Sequence, residues 1–309
     1  MTILDPHVHT WVYPDHFPGD AYLKFSGARE RGLTDAQIKQ ANDRRADRIL
    51  REMGEAGVDK AVVVGFKGGT TLGQEVPNEF IAKEVKPHPG KLYWVCAVNL
   101  IDPNAPAEVE RCVKELGAIG LGEIGPGYGH FSVDDERCFP VYEVCRSLDV
   151  PISIHAGPAA PRNTHIKYGN LEALDEVCVN FPELKVVLCH FGEPHYEEAA
   201  HLMAKHPNLY ADVSMMPSGA GLWATRPAPP VLMPFLHLDL PLLNYFSMPS
   251  RSHNKLLWAS DVQHPKESMA AFRGVNQRLK ERGYPTIPEN FMENIFHENW
   301  KQVFTKIKV

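Results

Sequence analysis

Eight short apolar segments, in strict alternation with helical patterns, predict an α/β chain folded as a closed (β/α)8 TIM barrel. Two further observations agree. The segments are continuously apolar, as parallel strands buried on both faces must be. The 309 residues exceed the roughly 250 of a typical barrel and leave room for insertions. A doubly wound open sheet is the competing topology, but no segment is followed by a G-x-G-x-x-G turn.

The first strand is read at 2–4 (TIL) and runs into Asp5-Pro6-His7-Val8-His9. After an irregular, aromatic and proline-rich stretch at 11–32, a helix is predicted to about residue 57, with Thr34 as its N-cap. The next strands fall at 60–66 (KAVVVGF), 91–99 (KLYWVCAVN), 118–124 (AIGLGEI) and 150–155 (VPISIH). Helices between them are predicted near 77–86, 105–116 and 134–148. Strands at 185–190 (KVVLCH), 208–214 (NLYADVS) and 255–261 (KLLWASD) complete the set. Helices near 171–180, 195–205, 266–282 and 288–306 accompany them. The longest gaps, after strands one and seven, locate the insertions. With no internal repeat or low-complexity linker, residues 1–309 are expected to form a single domain.

Bulk properties narrow the function. Hydrophobic residues make up 44% and charged residues 23% of the chain, as in ordinary globular proteins. The net charge of −6, with no basic stripe, argues against nucleic acid or an anionic membrane as partner. No apolar run approaches the roughly 20 residues of a membrane span, and no secretion signal is read at the N-terminus. Six scattered cysteines without a C-x-x-C pair suggest reduced thiols and a cytoplasmic location.

The chemistry lies in what ends the strands. Residues two apart in a strand share a face, so His7 and His9 project together. Strand four ends in Glu123, strand five in His155, strand six in His190 and strand eight in Asp261. Strand C-termini form the face where barrel active sites are built, so closure brings all six to one mouth. Each has a duller reading: Glu123 as a buried ion-pair partner, Asp261 as a helix cap, His155 and His190 as hydrogen-bonded core residues. Together they would be costly to bury without a cation or mutual pairing. Imidazoles mixed with carboxylates suit Zn2+ foremost, or Mn2+, Fe2+ or Co2+, in preference to Ca2+ or Mg2+.

D-P-H-V-H-T at the start, I-H-A-G at strand five, L-C-H-F-G-E-P at strand six and W-A-S-D-V-Q-H-P at strand eight resemble the amidohydrolase superfamily. Within it the chain is most similar to the amidohydrolase-2 branch of metal-dependent TIM-barrel hydrolases and decarboxylases. The closing N-I-F-H-E-N-W-K-Q-V-F, with Asn299, also resembles that branch. The resemblance implies His7, His9, His155 and Asp261 as metal ligands. It makes His190 either a ligand of a second ion or a catalytic histidine beside a single one. The chain departs from many decarboxylases of the branch in G-L-G-E-I-G, which puts Glu123 where TatD-like and lactonase-like relatives carry a metal-bridging Glu. No Lys stands there to be carbamylated.

One or two divalent ions are therefore expected. The leading expectation is a hydrolase that uses a metal-activated hydroxide on an ester, lactone or amide of a small carboxylated or aromatic compound, with Asp261 as general base. The alternative is a non-oxidative decarboxylase of an aromatic or enoic carboxylic acid, with His190 supplying the proton. A non-catalytic barrel is the third class. Lys67, Tyr128, Arg162 and His165, in strand-end loops, are candidate substrate contacts, along with His130. His264 is expected to hold Asp261 from behind. The apolar stretches at 11–32 and 215–254 read either as a lid or as the interface of a homodimer or higher homo-oligomer.

Overall fold

A computed structural model describes residues 1–157, 161–216, 235–248 and 252–308. Among these, eight parallel strands form the barrel. They are β1 (Leu4–His9), β2 (Lys60–Val64), β3 (Leu92–Val95), β4 (Leu121–Ile124), β5 (Ile152–His155), β6 (Val186–Cys189), β7 (Leu209–Asp212) and β8 (Leu256–Leu257). Hydrogen bonding joins β1, β2 and β3 in one run and β4 to β8 in another. Parallel bridges Cys96–Leu121 and Val8–Asp261 close both gaps, so the barrel predicted from the sequence is complete.

Alternation along each strand separates two cores. Ala61 and Val63 face outward into the large core shared with the helices. Val62 and Val64 face the barrel interior with Leu4, Val95, Val187 and Leu257. Trp300, Val303, Phe304 and Ile307 plug the end of the barrel opposite the strand C-termini. Lys60, which opens β2, donates to the carbonyl of Lys308 on that side.

Several elements differ from the sequence reading, each for a tertiary reason. Strand β1 continues through His9, and its register shifts between Asp5 and Val8, where Pro6 lacks an N–H to give the ladder. The single helix expected after Thr34 is two, Asp35–Asn42 and Ala46–Ala56. Thr34 does cap the first, in a capping box with Gln37. The chain breaks because Arg44 exchanges both backbone hydrogen bonds with Trp11, at 2.9 and 3.0 Å. The helix expected over 266–282 is likewise divided at Gly274 into Pro265–Arg273 and Val275–Glu281. A small antiparallel hairpin, Lys67–Gly68 with Gln74–Glu75, follows β2.

The connection from β1 to β2 carries the aromatic cluster of Trp11, Phe17 and Tyr22. Much of the stretch at 215–254, including Trp223, lies outside the described residues. No helix among the described residues is long and apolar enough to cross a membrane.

Candidate metal centre

Val8 packs outward, so His7 and His9 turn inward from β1 with their Nε2 atoms 3.2 Å apart. Glu123 reaches between them and the histidines of β5 and β6. Its Oε2 lies 3.4 Å from His9 Nε2 and 3.7 Å from His7 Nε2. Its Oε1 lies 2.8 Å from His155 Nδ1 and 3.4 Å from His190 Nε2. Asp261 Oδ1 stands 3.2 Å from His9 Nε2. The six residues picked from strand ends thus occupy one pocket at the C-terminal mouth. His190 and Asp261 hold left-handed backbone angles, with φ of 56° and 60°. That conformation costs a non-glycine residue roughly 1–2 kcal/mol, and such strain gathers at functional positions.

The outer nitrogens decide what the inner ones offer. His7 Nδ1–H donates to Asp212 Oδ2 at 3.0 Å, and His9 Nδ1–H to the Val64 carbonyl at 3.0 Å. Each Nε2 is then left to a proton or a metal ion, and at 3.2 Å two protons cannot face each other. Either one proton shared between the two nitrogens or a cation held by both satisfies the pair. Two overlapping groups have ligand atoms within 4.8 Å of one another, His7–His9–Glu123 and Glu123–His155–His190. A third, His7–Cys189–Asp212, would need the nitrogen His7 already uses on Asp212. Imidazole and carboxylate donors with their outer partners in place fit a divalent transition ion.

The electrostatics also call for positive charge. Burial alone would push His7, His9 and His190 down. Asp212 outweighs it at His7, Asp261 and Glu123 at His9, and Glu123 at His190, which rises to about 9. Burial likewise pushes the carboxyls up, yet the imidazoles win. His155, His190, His7 and His9 hold Glu123 well below the usual carboxylate range, and His7 and His9 lower Asp212 and Asp261 respectively. Behind this cluster, burial lifts Asp5 to about 7 against hydrogen bonds from Ser260.

The remaining candidates scatter. Lys67 pairs with Glu75 at 3.0 Å at the edge of a cavity of about 410 Å³ that opens beside Glu123. Asn78, Asn99 and Glu108 also line it. The Tyr128 ring packs edge-on against His155, with centroids 5.4 Å apart. His165 and Arg162 are exposed, the former beside His130. His264 has other partners than Asp261: its Nδ1 caps Pro265–Arg273, and its Nε2 meets Glu55 at 3.1 Å.

Sequence reasoning passed over Asp212 and Ser214. Asp212 is the last residue of β7 and 2% exposed. It obeys the same rule that picked out Glu123 and His155, a polar residue ending an apolar strand, and that signal was available.

The Amidohydro_2 model, which describes an amidohydrolase family, matches residues 4–304. The γ-resorcylate decarboxylase of Polaromonas sp. (strain JS666 / ATCC BAA-500) is 28% identical over 186 residues, 48% of this chain and 56% of that protein. The 2-keto-4-carboxy-3-hexenedioate hydratase of Sphingobium sp. (strain NBRC 103272 / SYK-6) is 26% identical over 228 residues, 62% of this chain and 66% of that one. In both cases the chain spans less than two thirds of the relative's length. An uncharacterised TIM-barrel protein from Bordetella bronchiseptica superposes with a TM-score of 0.67 at 21% identity over 99% of both chains. With the family match running from the first strand to the closing turn, the chain belongs to the amidohydrolase family.

Proposed function

We propose that this protein is a metal-dependent lyase that decarboxylates, without oxidation, a small aromatic or enoic carboxylic acid. The observation that carries this reading is the convergence of His7, His9, Glu123, His155, His190 and Asp261 beside a cavity of about 410 Å³, large enough for a small-molecule substrate. The hydrolytic expectation from the sequence gives way to its alternative, because the relatives above are a decarboxylase and a hydratase.

When bound, a divalent ion, Zn2+ first among the choices, polarises the substrate's oxygens and offsets charge that builds during reaction. His7, His9, His155 and Asp261 would hold it, with Glu123 and His190 completing a second position if two ions bind. His190 Nε2 stands 3.4 Å from Glu123 Oε1, on the inner side of the cluster. As the carbon–carbon bond breaks and CO2 leaves with neither electron of that bond, the carbanionic carbon takes a proton from His190 Nε2. Tyr128, packed on His155, and Lys67, at the cavity edge, are placed to orient the substrate.

A second reading remains because Glu123 ties the two halves of the site together. That arrangement suits two ions and attack by water on an ester or lactone, with Asp261 as base. One experiment separates them. Protein loaded with Zn2+ or Mn2+ is given hydroxybenzoates, enoic dicarboxylates, lactones and esters, with CO2 release and hydrolysis followed separately. CO2 release that a chelator abolishes is expected, and turnover of lactones or esters alone overturns the lyase. The six cysteines, all free and buried, support a reducing, cytoplasmic setting. Trp11 and Phe17 are buried in the protomer's own core, so a homo-oligomer contact through 11–32 would rest on the exposed residues of that segment.

A further inference from the structure

We propose that Asp212 is a positioning residue serving both halves of the metal site at once, reaching His7 directly and His190 through Ser214. The inference rests on the metal-binding reading above and extends it to residues that touch neither ion nor substrate.

The hydrogen bonds leave little freedom. Asp212 Oδ2 accepts from His7 Nδ1–H at 3.0 Å. Its Oδ1 accepts from the Ser214 hydroxyl at 2.5 Å, from the Ser214 N–H at 3.0 Å and from the His190 N–H at 3.1 Å. Because the Ser214 proton is committed to Asp212, its oxygen has only lone pairs for the His190 ring. His190 Nδ1, 2.8 Å from Ser214 Oγ, must therefore be the protonated nitrogen. One carboxylate thus holds two imidazoles in the same tautomer, with both Nε2 atoms turned into the pocket. His7 belongs to the first ligand group and His190 to the second. Asp212 and Ser214 are themselves buried at 2% and 0% exposure, out of reach of any substrate.

Outer partners of ligating histidines typically govern metal affinity 10- to 100-fold. A partner shared between two groups should govern both together. The same constraint puts any proton that His190 transfers on Nε2, the nitrogen 3.4 Å from Glu123 Oε1.

The test compares Asp212→Asn with Ser214→Ala. In Asp212→Asn, an amide NH2 replaces one accepting oxygen, so one of the two imidazoles meets a donor and must reverse its tautomer. Zn2+ affinity and stoichiometry are measured by chelator competition and elemental analysis. The protonated ring nitrogens of the Zn2+-loaded proteins are assigned from two-bond nitrogen–proton NMR correlations. Asp212→Asn is expected to weaken Zn2+ binding about 10- to 100-fold and to alter the signals of a histidine bonded to it. Ser214→Ala is expected to disturb the His190 signals and leave those of His7 as they are. If wild-type protein binds Zn2+ and Asp212→Asn matches it in affinity and tautomers, the positioning role is refuted while the metal site stands. If Ser214→Ala perturbs His7 as much as His190, the relay is wrong in the same way. Wild-type protein that takes up no Zn2+ refutes both the metal site and this role.

Discussion

Replacing Glu123 by Gln keeps the volume of the side chain and exchanges one carboxylate oxygen for an amide NH2. The two oxygens stand 2.8 to 3.7 Å from four imidazoles, so this single change touches both ligand groups. Loss of a shared carboxylate should weaken metal binding by at least the 100-fold that a lost outer partner can cause. Ligand binding raises stability by about 2.7 kcal/mol at a hundred times Kd and by about 0.4 kcal/mol at Kd. For a chain of this size about 1 kcal/mol moves the melting temperature by roughly 2 °C. Metal at a hundred times the wild-type Kd should therefore raise the wild-type midpoint by about 5 °C and that of Glu123→Gln by about 1 °C. Scanning calorimetry with and without chelator, on both proteins at one metal concentration, reads the difference. An unchanged 5 °C shift with full metal content in the variant would refute a ligand role for Glu123.

Other outcomes follow from the same contacts. His264→Ala removes a helix cap and a Glu55 contact, and should cost about 1 kcal/mol in urea denaturation with metal content unchanged; metal loss would return His264 to Asp261. Trp258, fully buried with its Nε1–H on Ser268 Oγ, should cost about 3–5 kcal/mol when replaced by Ala; a loss under 1 kcal/mol would mean that the core collapses around the gap. Glu108 is held at about 2 by its hydrogen bonds to Arg111, against the pull of burial. A lowered carboxyl stabilises the fold above its unfolded value, and that contribution fades as pH falls towards 2. Glu108→Gln should therefore flatten the acid limb of stability between about pH 5 and 2, and parallel denaturation profiles would count against the pairing.

The barrel was legible because its strands carry their own signature. KAVVVGF and KVVLCH need no distant partner to be read, and the position of His155 or Glu123 follows once the strand end is known. Thr34 was equally local, since a cap and its Gln37 lie within one turn. What failed depended on tertiary contacts. The break at Arg44 comes from Trp11 across the chain, and His264 is drawn to Glu55, more than two hundred positions away in sequence. Lys67 could not be seen as spoken for until the hairpin delivered Glu75. Asp212 is a different case. Its signal was local, but NLYADVS ends in a residue that also reads as an ordinary turn former, and its value emerges only with His7 alongside.

The first and last strands meet along a narrow seam, where β8 is two residues long and the Asp261 N–H bonds to the His7 carbonyl at 2.7 Å. Ser260 adds its hydroxyl and N–H to Asp5 across the same join. An ion gripped by His7, His9 and Asp261 would act there as a clasp between the two ends of the cylinder. During synthesis the clasp has nothing to fasten until residue 261 has left the ribosome. Final closure should therefore be a late event, and stripping the ion should loosen the seam on the side of the two-residue β8 before it loosens β1, which is paired with β2.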